Sequence, residues 1–170
     1  VGKWLRKNGV TTVLLIIILL LLVVRKFILA PYIVHGHSML PLLNTDERIL
    51  VNTWVYNVDK PRYGDVIVFR ATEKEKYIKR VIGLPGDTVE IKEGKVYRNG
   101  RKIKEPYLVG RIIGAAPPVK VLPDHLYVLG DNRNNSKDSR QLGLISMREV
   151  VGRADWVLTP LDRFGELANN

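Results

Sequence analysis

The chain has 170 residues, 27 of them Lys or Arg, 17 Asp or Glu and none Cys, for a formal net charge of +10. That length allows one folded domain plus an attached segment, and the lack of cysteine excludes disulfides, thiolate metal sites and a cysteine nucleophile. Three histidines, His35, His37 and His125, are too few and too scattered for a metal centre. The basic excess comes with no helix-turn-helix, zinc-finger or aromatic RNA-binding signature, so neither a metal, a cofactor nor a nucleic-acid partner is expected.

The charge is unevenly placed. Residues 1–30 hold five basic residues (Lys3, Arg6, Lys7, Arg25 and Lys26) and no acidic one, while the remaining 22 basic residues face all 17 acidic ones. Half of the excess therefore flanks the run Val10–Val24, VTTVLLIIILLLLVV, a placement that suits anionic lipid headgroups. As a helix this run spans about 22 Å, short of the roughly 30 Å hydrocarbon core. Continuing to Ala30 supplies the length if Arg25 and Lys26 snorkel to the interface, and Trp4 marks the opposite interface. A buried core helix would show a polar stripe, which this run lacks beyond Thr12. A cleavable leader fails at its cut site, because Ile28 is too large for position −3 and Pro31 follows Ala30. The expectation is a transmembrane signal-anchor over 10–30, a short cytoplasmic N-terminus over 1–9, and an extracytoplasmic β-rich domain over 31–170.

Just beyond that run, Gly36-His37-Ser38-Met39-Leu40-Pro41 places a serine between a glycine and a proline, at a strand-to-turn edge near the membrane face. A serine hydroxyl is a weak nucleophile unless a neighbour takes its proton; by itself this stretch reads as an ordinary loop serine. Arg48–Val51 and Val66–Phe69 read as strands buried on both faces, the second launched from the Pro61–Asp65 turn. Tyr77-Ile78-Lys79-Arg80-Val81-Ile82 follows as a third strand. There Lys79 shares a face with Tyr77 and Val81, an apolar bracket that disfavours its charge. Lowering a lysine by two to three units from about 10.4 costs roughly 3–4 kcal/mol, which desolvation can supply. A solvent-facing strand lysine is the plainer alternative.

Farther on, Val89–Lys92, Lys95–Arg98 and Arg101–Ile103 are joined by Glu93-Gly94 and Asn99-Gly100, the latter a strong hairpin signal. This is a solvated ribbon with no assigned chemistry. Residues 105–120 read as loop, Leu126–Leu129 as a buried strand, and Gly130–Arg140 as a polar turn. His125, at a strand start, reads as structural rather than as a triad base, and His37 points away from Ser38 on an extended chain. Ser146–Glu149 fits a capping box, and Val150–Leu158 a closing strand ended by Pro160.

Four stretches together resemble the type I signal peptidases, in that family's order and spacing: Gly36–Pro41, Tyr63–Phe69, Tyr77–Asp87 and Gly130–Arg140. The resemblance implies a mainly β fold, an antiparallel, barrel-like catalytic domain behind one N-terminal transmembrane helix. It implies a serine endopeptidase that removes signal peptides from secretory precursors after small residues, through an acyl-enzyme. Ser38 is then the nucleophile and Lys79 the base, and the Ser38 N–H contributes to the oxyanion hole. Ser136 orients Lys79, and Asp138 and Arg140 pair to hold that loop. Val34, Met39, Leu43, Tyr77 and Ile78 line shallow pockets for small side chains at the first and third positions before the cut. The substrate adds as an extended strand beside the segments carrying Ser38 and Lys79. Leu42 stands where the family has Thr or Ser, and Gly36 where Gram-negative members carry a second serine, so Gly36 and the single anchor suit the Gram-positive type. The expected partners are signal peptides and membrane lipid, touched by Met39, Leu40 and Trp54, with the protein acting as a monomer. The rival readings are a membrane-anchored peptide-binding module without catalysis, and a self-cleaving repressor-type serine–lysine protease.

Overall fold

The computed structural model describes residues 2–108 and 110–167, without the side chains of 2–8 and 23–27. Trp4 as an interface marker and Lys3, Arg6, Lys7, Arg25 and Lys26 as flanking charges lie outside the described side chains. Helix α1 runs Gly2–Phe27, and its side chains from Gly9 to Leu22 are all exposed. Among the described residues no helix is long and apolar enough to cross a membrane; fourteen residues, 9 to 22, rise only about 21 Å.

The helix also stops earlier than the sequence suggested. Leu29–Ile33 is strand β1 rather than helix, because it pairs antiparallel over its whole length with β2, Arg48–Asn52. Pro31 is tolerated there since β1 is an edge strand.

The remaining elements are α2 (Val55–Val58), β3 (Val66–Arg70), β4 (Lys76–Gly83), β5 (Thr88–Lys92), β6 (Lys95–Arg98), β7 (Arg101–Lys102), β8 (Ala116–Lys120), β9 (His125–Leu129), α3 (Ser139–Leu142), β10 (Ile145–Ser146), β11 (Val150–Thr159) and β12 (Gly165–Glu166). The large sheet has the order β1-β2-β11-β3-β4-β9-β10, with β12 on β11; the smaller has the order β7-β6-β5-β8. The described pairings are antiparallel, so the mainly antiparallel β class holds.

Strand β3 shows how the large sheet is buried. Val66 and Val68 enter one core with Val34, Met39, Leu43, Ile49 and Val51, while Ile67 and Phe69 enter another with Val81, Leu126 and Val128. Strand β2 departs from the expectation of two buried faces: Ile49 and Val51 are buried but Arg48 is exposed and Leu50 half-buried. A third core, Ile82, Val89, Ile91, Val96, Val121, Tyr127 and Leu129, joins the two sheets.

The ribbon turns are tight. Glu93 and Gly94 (φ 53° and 71°) and Asn99 and Gly100 (53° and 75°) are all left-handed, as two-residue hairpins of this hand require. Two sequence expectations are corrected. Ala116–Lys120, read as loop, is strand β8, where Pro117 and Pro118 are accepted because β8 is the outer strand of its sheet. Strand β11, read as closing the domain, lies centrally between β2 and β3, which its two patterned faces allow.

Candidate active site

Ser38 lies five residues past the end of β1 at Ile33. The Val34 N–H donates to the Glu47 carbonyl (2.9 Å) and the Asp46 N–H to the Val34 carbonyl (2.8 Å), so the chain leaves the sheet at a fixed point. Gly36 then turns it with φ +84°, in the left-handed region where a side chain is strained. Glycine at this position thus has a backbone reason independent of any hydroxyl. The serine turn is clamped by the loop after β9: the Asn132 N–H donates to the Ser38 carbonyl (3.0 Å) and its side-chain amide to the His37 carbonyl (3.1 Å). Gly130 lies so close beneath that a Cβ would sit 2.5 Å from the Ser38 carbonyl oxygen and 2.2 Å from Ser136 Oγ. Among the described residues the Ser38 N–H has no acceptor.

Lys79 comes from β4. It is 3% exposed, and its Nζ donates to Ser38 Oγ (2.8 Å) and to the Ile78 carbonyl (2.8 Å), with the Tyr77 ring centre 5.2 Å away. Burial pushes its amine down to about 8, against the opposing pull of the Asp138 and Asp131 carboxylates. A buried amine with a third donor unused, touching a serine oxygen, is equipped to exchange a proton with that hydroxyl near neutral pH.

The loop 130–140 is held by three ion pairs. Asp138 is fully buried and accepts from the Gly130 N–H (3.0 Å) and from Arg140 Nε and Nη2 (both 2.8 Å). Arg80 and Asp131, 1% and 0% exposed, form a second bidentate pair at 2.8 and 2.7 Å. Arg133 pairs with Glu105 and donates to the Gly130 carbonyl (2.9 Å). The last two pairs escaped the sequence reading. Their signal was the presence of Arg80, Glu105, Asp131 and Arg133, which shows that charges exist but not that they meet.

The expected hydrogen bond from Ser136 to Lys79 is not formed. Ser136 Oγ is buried and has no partner among the described residues; the Lys79 amine instead donates to Ser38 and Ile78.

A cleft of about 680 Å³ opens over Ser38 and Lys79, with Pro31–Met39 on one wall and Lys74, Lys76, Tyr77 and Ile78 on the other. Both walls carry open backbone edges among the described residues: β1 pairs only with β2, and β9 pairs with β4 only from Arg80 onward. Of the five residues expected to line substrate pockets, Val34, Met39, Tyr77 and Ile78 are among the lining of this cleft, and Leu43 is not. Leu43 is fully buried in the core below Val34 and Met39. Met39 is buried too, at 2% exposure, and so is unavailable as a lipid contact, whereas Trp54 is 51% exposed. His125 lies at the β9–β10 pairing with Nδ1 2.7 Å from the Pro123 carbonyl, outside the cleft. Leu42, the departure from the family pattern, packs against the first core.

Residues 6–159 match the family described as signal peptidase, peptidase S26. A signal peptidase I of Bacillus amyloliquefaciens is 42% identical over 150 residues, covering 82% of this chain and 80% of the relative. Signal peptidase IB of Staphylococcus aureus strain Mu50 is 41% identical over 159 residues, covering 83% of each. A crystal structure of a signal peptidase I from Enterococcus faecalis aligns at 32% identity and TM-score 0.49, over 60% of this chain and 99% of that one. The family match and the sequence relatives define the class, a serine peptidase and hence a hydrolase. The chain belongs to the signal peptidase family, peptidase S26.

Proposed function

We propose that the chain cleaves N-terminal signal peptides from exported precursors, with Ser38 as nucleophile and Lys79 as its base. The observation that carries this is the 2.8 Å contact between Ser38 Oγ and the buried Lys79 amine. When Lys79 is neutral the direction of that bond reverses: Ser38 Oγ–H donates to the Nζ lone pair, and the proton moves there as Oγ attacks the carbonyl carbon. The free Ser38 N–H supports the developing oxyanion, a contribution that in other enzymes is worth roughly 3 kcal/mol per donor. Collapse of the adduct expels the new amine, which takes the proton from Lys79. Water, deprotonated by the now neutral Lys79 amine, then attacks the acyl carbon; the ester bond to Ser38 breaks and Lys79 returns the proton to Oγ.

The substrate lies extended between β1 and β4, satisfying the two open backbone edges. Small residues at its first and third positions before the cut face Val34, Met39, Tyr77 and Ile78. Ser136 stands ready to take the third Lys79 donor, and Asp138 with Arg140 holds the loop that presents it.

The anchoring reading rests on α1, whose apolar side chains between Val10 and Leu22 are 47–63% exposed. Burying them in a bilayer removes an apolar surface that water disfavours. The N-terminus then faces the cytoplasm and the monomeric β domain the other side, where a precursor's cut site emerges beside lipid. The test is cleavage of a purified secretory precursor by the full chain in lipid micelles. The wild type should cut and both Ser38→Ala and Lys79→Ala should lose at least about a thousandfold in kcat/KM, as loss of such a unit does elsewhere. Binding without cutting by the wild type would instead support a peptide-binding module.

A further inference from the structure

The cleft that holds Ser38 is strongly one-signed. Its lining includes Lys74, Lys76, Lys79 and Lys137 together with His35 and His37, and no Asp or Glu. The carboxylates that lie near in sequence are committed elsewhere. Glu75, between two of these lysines, accepts the Tyr77 hydroxyl at 3.3 Å and stays outside the lining. Asp138 and Asp131 lie behind Lys79, bound to Arg140 and Arg80. Lys76 is pinned across the mouth: its Nζ is 3.3 Å from the Tyr32 hydroxyl on the facing wall and 4.9 Å from that ring's centre.

Positive charge in a concave site with low-dielectric walls concentrates field lines along the path of the substrate. Lys76 is three strand positions from Lys79, about 10 Å at 3.3 Å per residue. On the proposed reading, which this inference requires, the acyl side of the substrate runs along β1 and β4. The residue opposite Lys76 is then about the fourth before the scissile bond.

We infer that this cleft selects its peptides by charge, favouring an acidic residue about four positions before the cut and disfavouring a basic one, with Lys74 and Lys76 as the specificity-determining residues. Unit charges about 6 Å apart in a water-rich groove change binding by roughly 3-fold each way, so the spread from acidic to basic should reach about 10-fold.

Three synthetic peptides test this, identical except for Asp, Ala or Lys at the fourth position before the cut. Their kcat/KM values are measured with the full chain in neutral detergent micelles. The expected order is Asp, Ala, Lys, with an Asp-to-Lys ratio near 10 at about 20 mM salt that shrinks to about 2 at 0.5 M, where the screening length is roughly 4 Å. In Lys74→Glu/Lys76→Glu the ratio should invert, and because it is a ratio, any loss common to the peptides cancels. Should that variant fail to fold, the wild-type order and its salt dependence still decide. Equal rates for the Asp and Lys peptides, with the Ala peptide cut only when Ser38 is present, overturn charge selection and leave the proposed function standing. An unchanged ratio in the folded double variant overturns the assignment to these two lysines. An Ala peptide left uncut, or cut equally by Ser38→Ala, removes the functional reading and this inference with it.

Discussion

Lys79→Met should abolish precursor cleavage and at the same time stabilise the folded protein at neutral pH. The amine is held at about 8 against an ordinary 10.5, chiefly by burial. Below about pH 8 it is charged in both the folded and the unfolded chain, and the folded state carries the full penalty of the buried charge, about 3 kcal/mol at 1.36 per unit. Between 8 and 10.5 only the unfolded chain still holds the proton, so raising the pH through this window relieves the penalty and stabilises the wild type. Methionine fills nearly the same space without charge. It forfeits two hydrogen bonds, to Ser38 and Ile78, worth about 1 kcal/mol each. The net gain should be about 1–2 kcal/mol at pH 7 and should disappear, or reverse, by pH 10. Denaturant unfolding of both proteins at the two pH values measures this. A variant less stable than the wild type at pH 7 would mean that the amine carries no burial penalty.

The second large effect is expected at Asp138. Its carboxylate is fully buried and joins the Gly130 N–H to the Arg140 guanidinium. Asp138→Ala leaves that guanidinium half-buried without its counter-ion and the Gly130 N–H without its acceptor. Removing one member of a buried pair costs about 3–5 kcal/mol. The same change acts on Lys79 in a way that misfolding alone would not, because the Asp138 carboxylate is the largest influence holding its amine up. In Asp138→Ala the Lys79 midpoint should therefore fall below 8 while thermal unfolding moves down by several degrees. Unchanged melting with a midpoint still at 8 would remove Asp138 from both roles.

Much of the fold was legible because local and tertiary preferences agree. The apolar run Val66–Phe69 is buried on alternating sides in two cores, and the Asn99-Gly100 turn is left-handed at both positions. Misreadings fell where pairing overrode composition. Leu29–Ile33 continues an apolar helix in sequence but finds a complete partner in β2. Ala116–Lys120 contains two prolines yet serves as an edge strand. In the site, the fold brings Ser38 and Lys79 into contact across 41 residues. The depth of individual side chains was not legible. Leu43 fills the core rather than a pocket, Met39 is covered, and Arg80 and Asp131 form a pair that only the contact of β4 with the loop after β9 creates. Periodicity assigns a face to a residue; how far that face lies from water depends on what other segments cover it.

The central claim is tested most directly by titrating the Lys79 amine in the full chain, following its ε-carbon resonance by NMR with Lys79→Met as the blank. The expected result is a midpoint near 8 and a kcat/KM that climbs with pH through the same value. A midpoint near 10.5 in protein that still cuts precursors would contradict it.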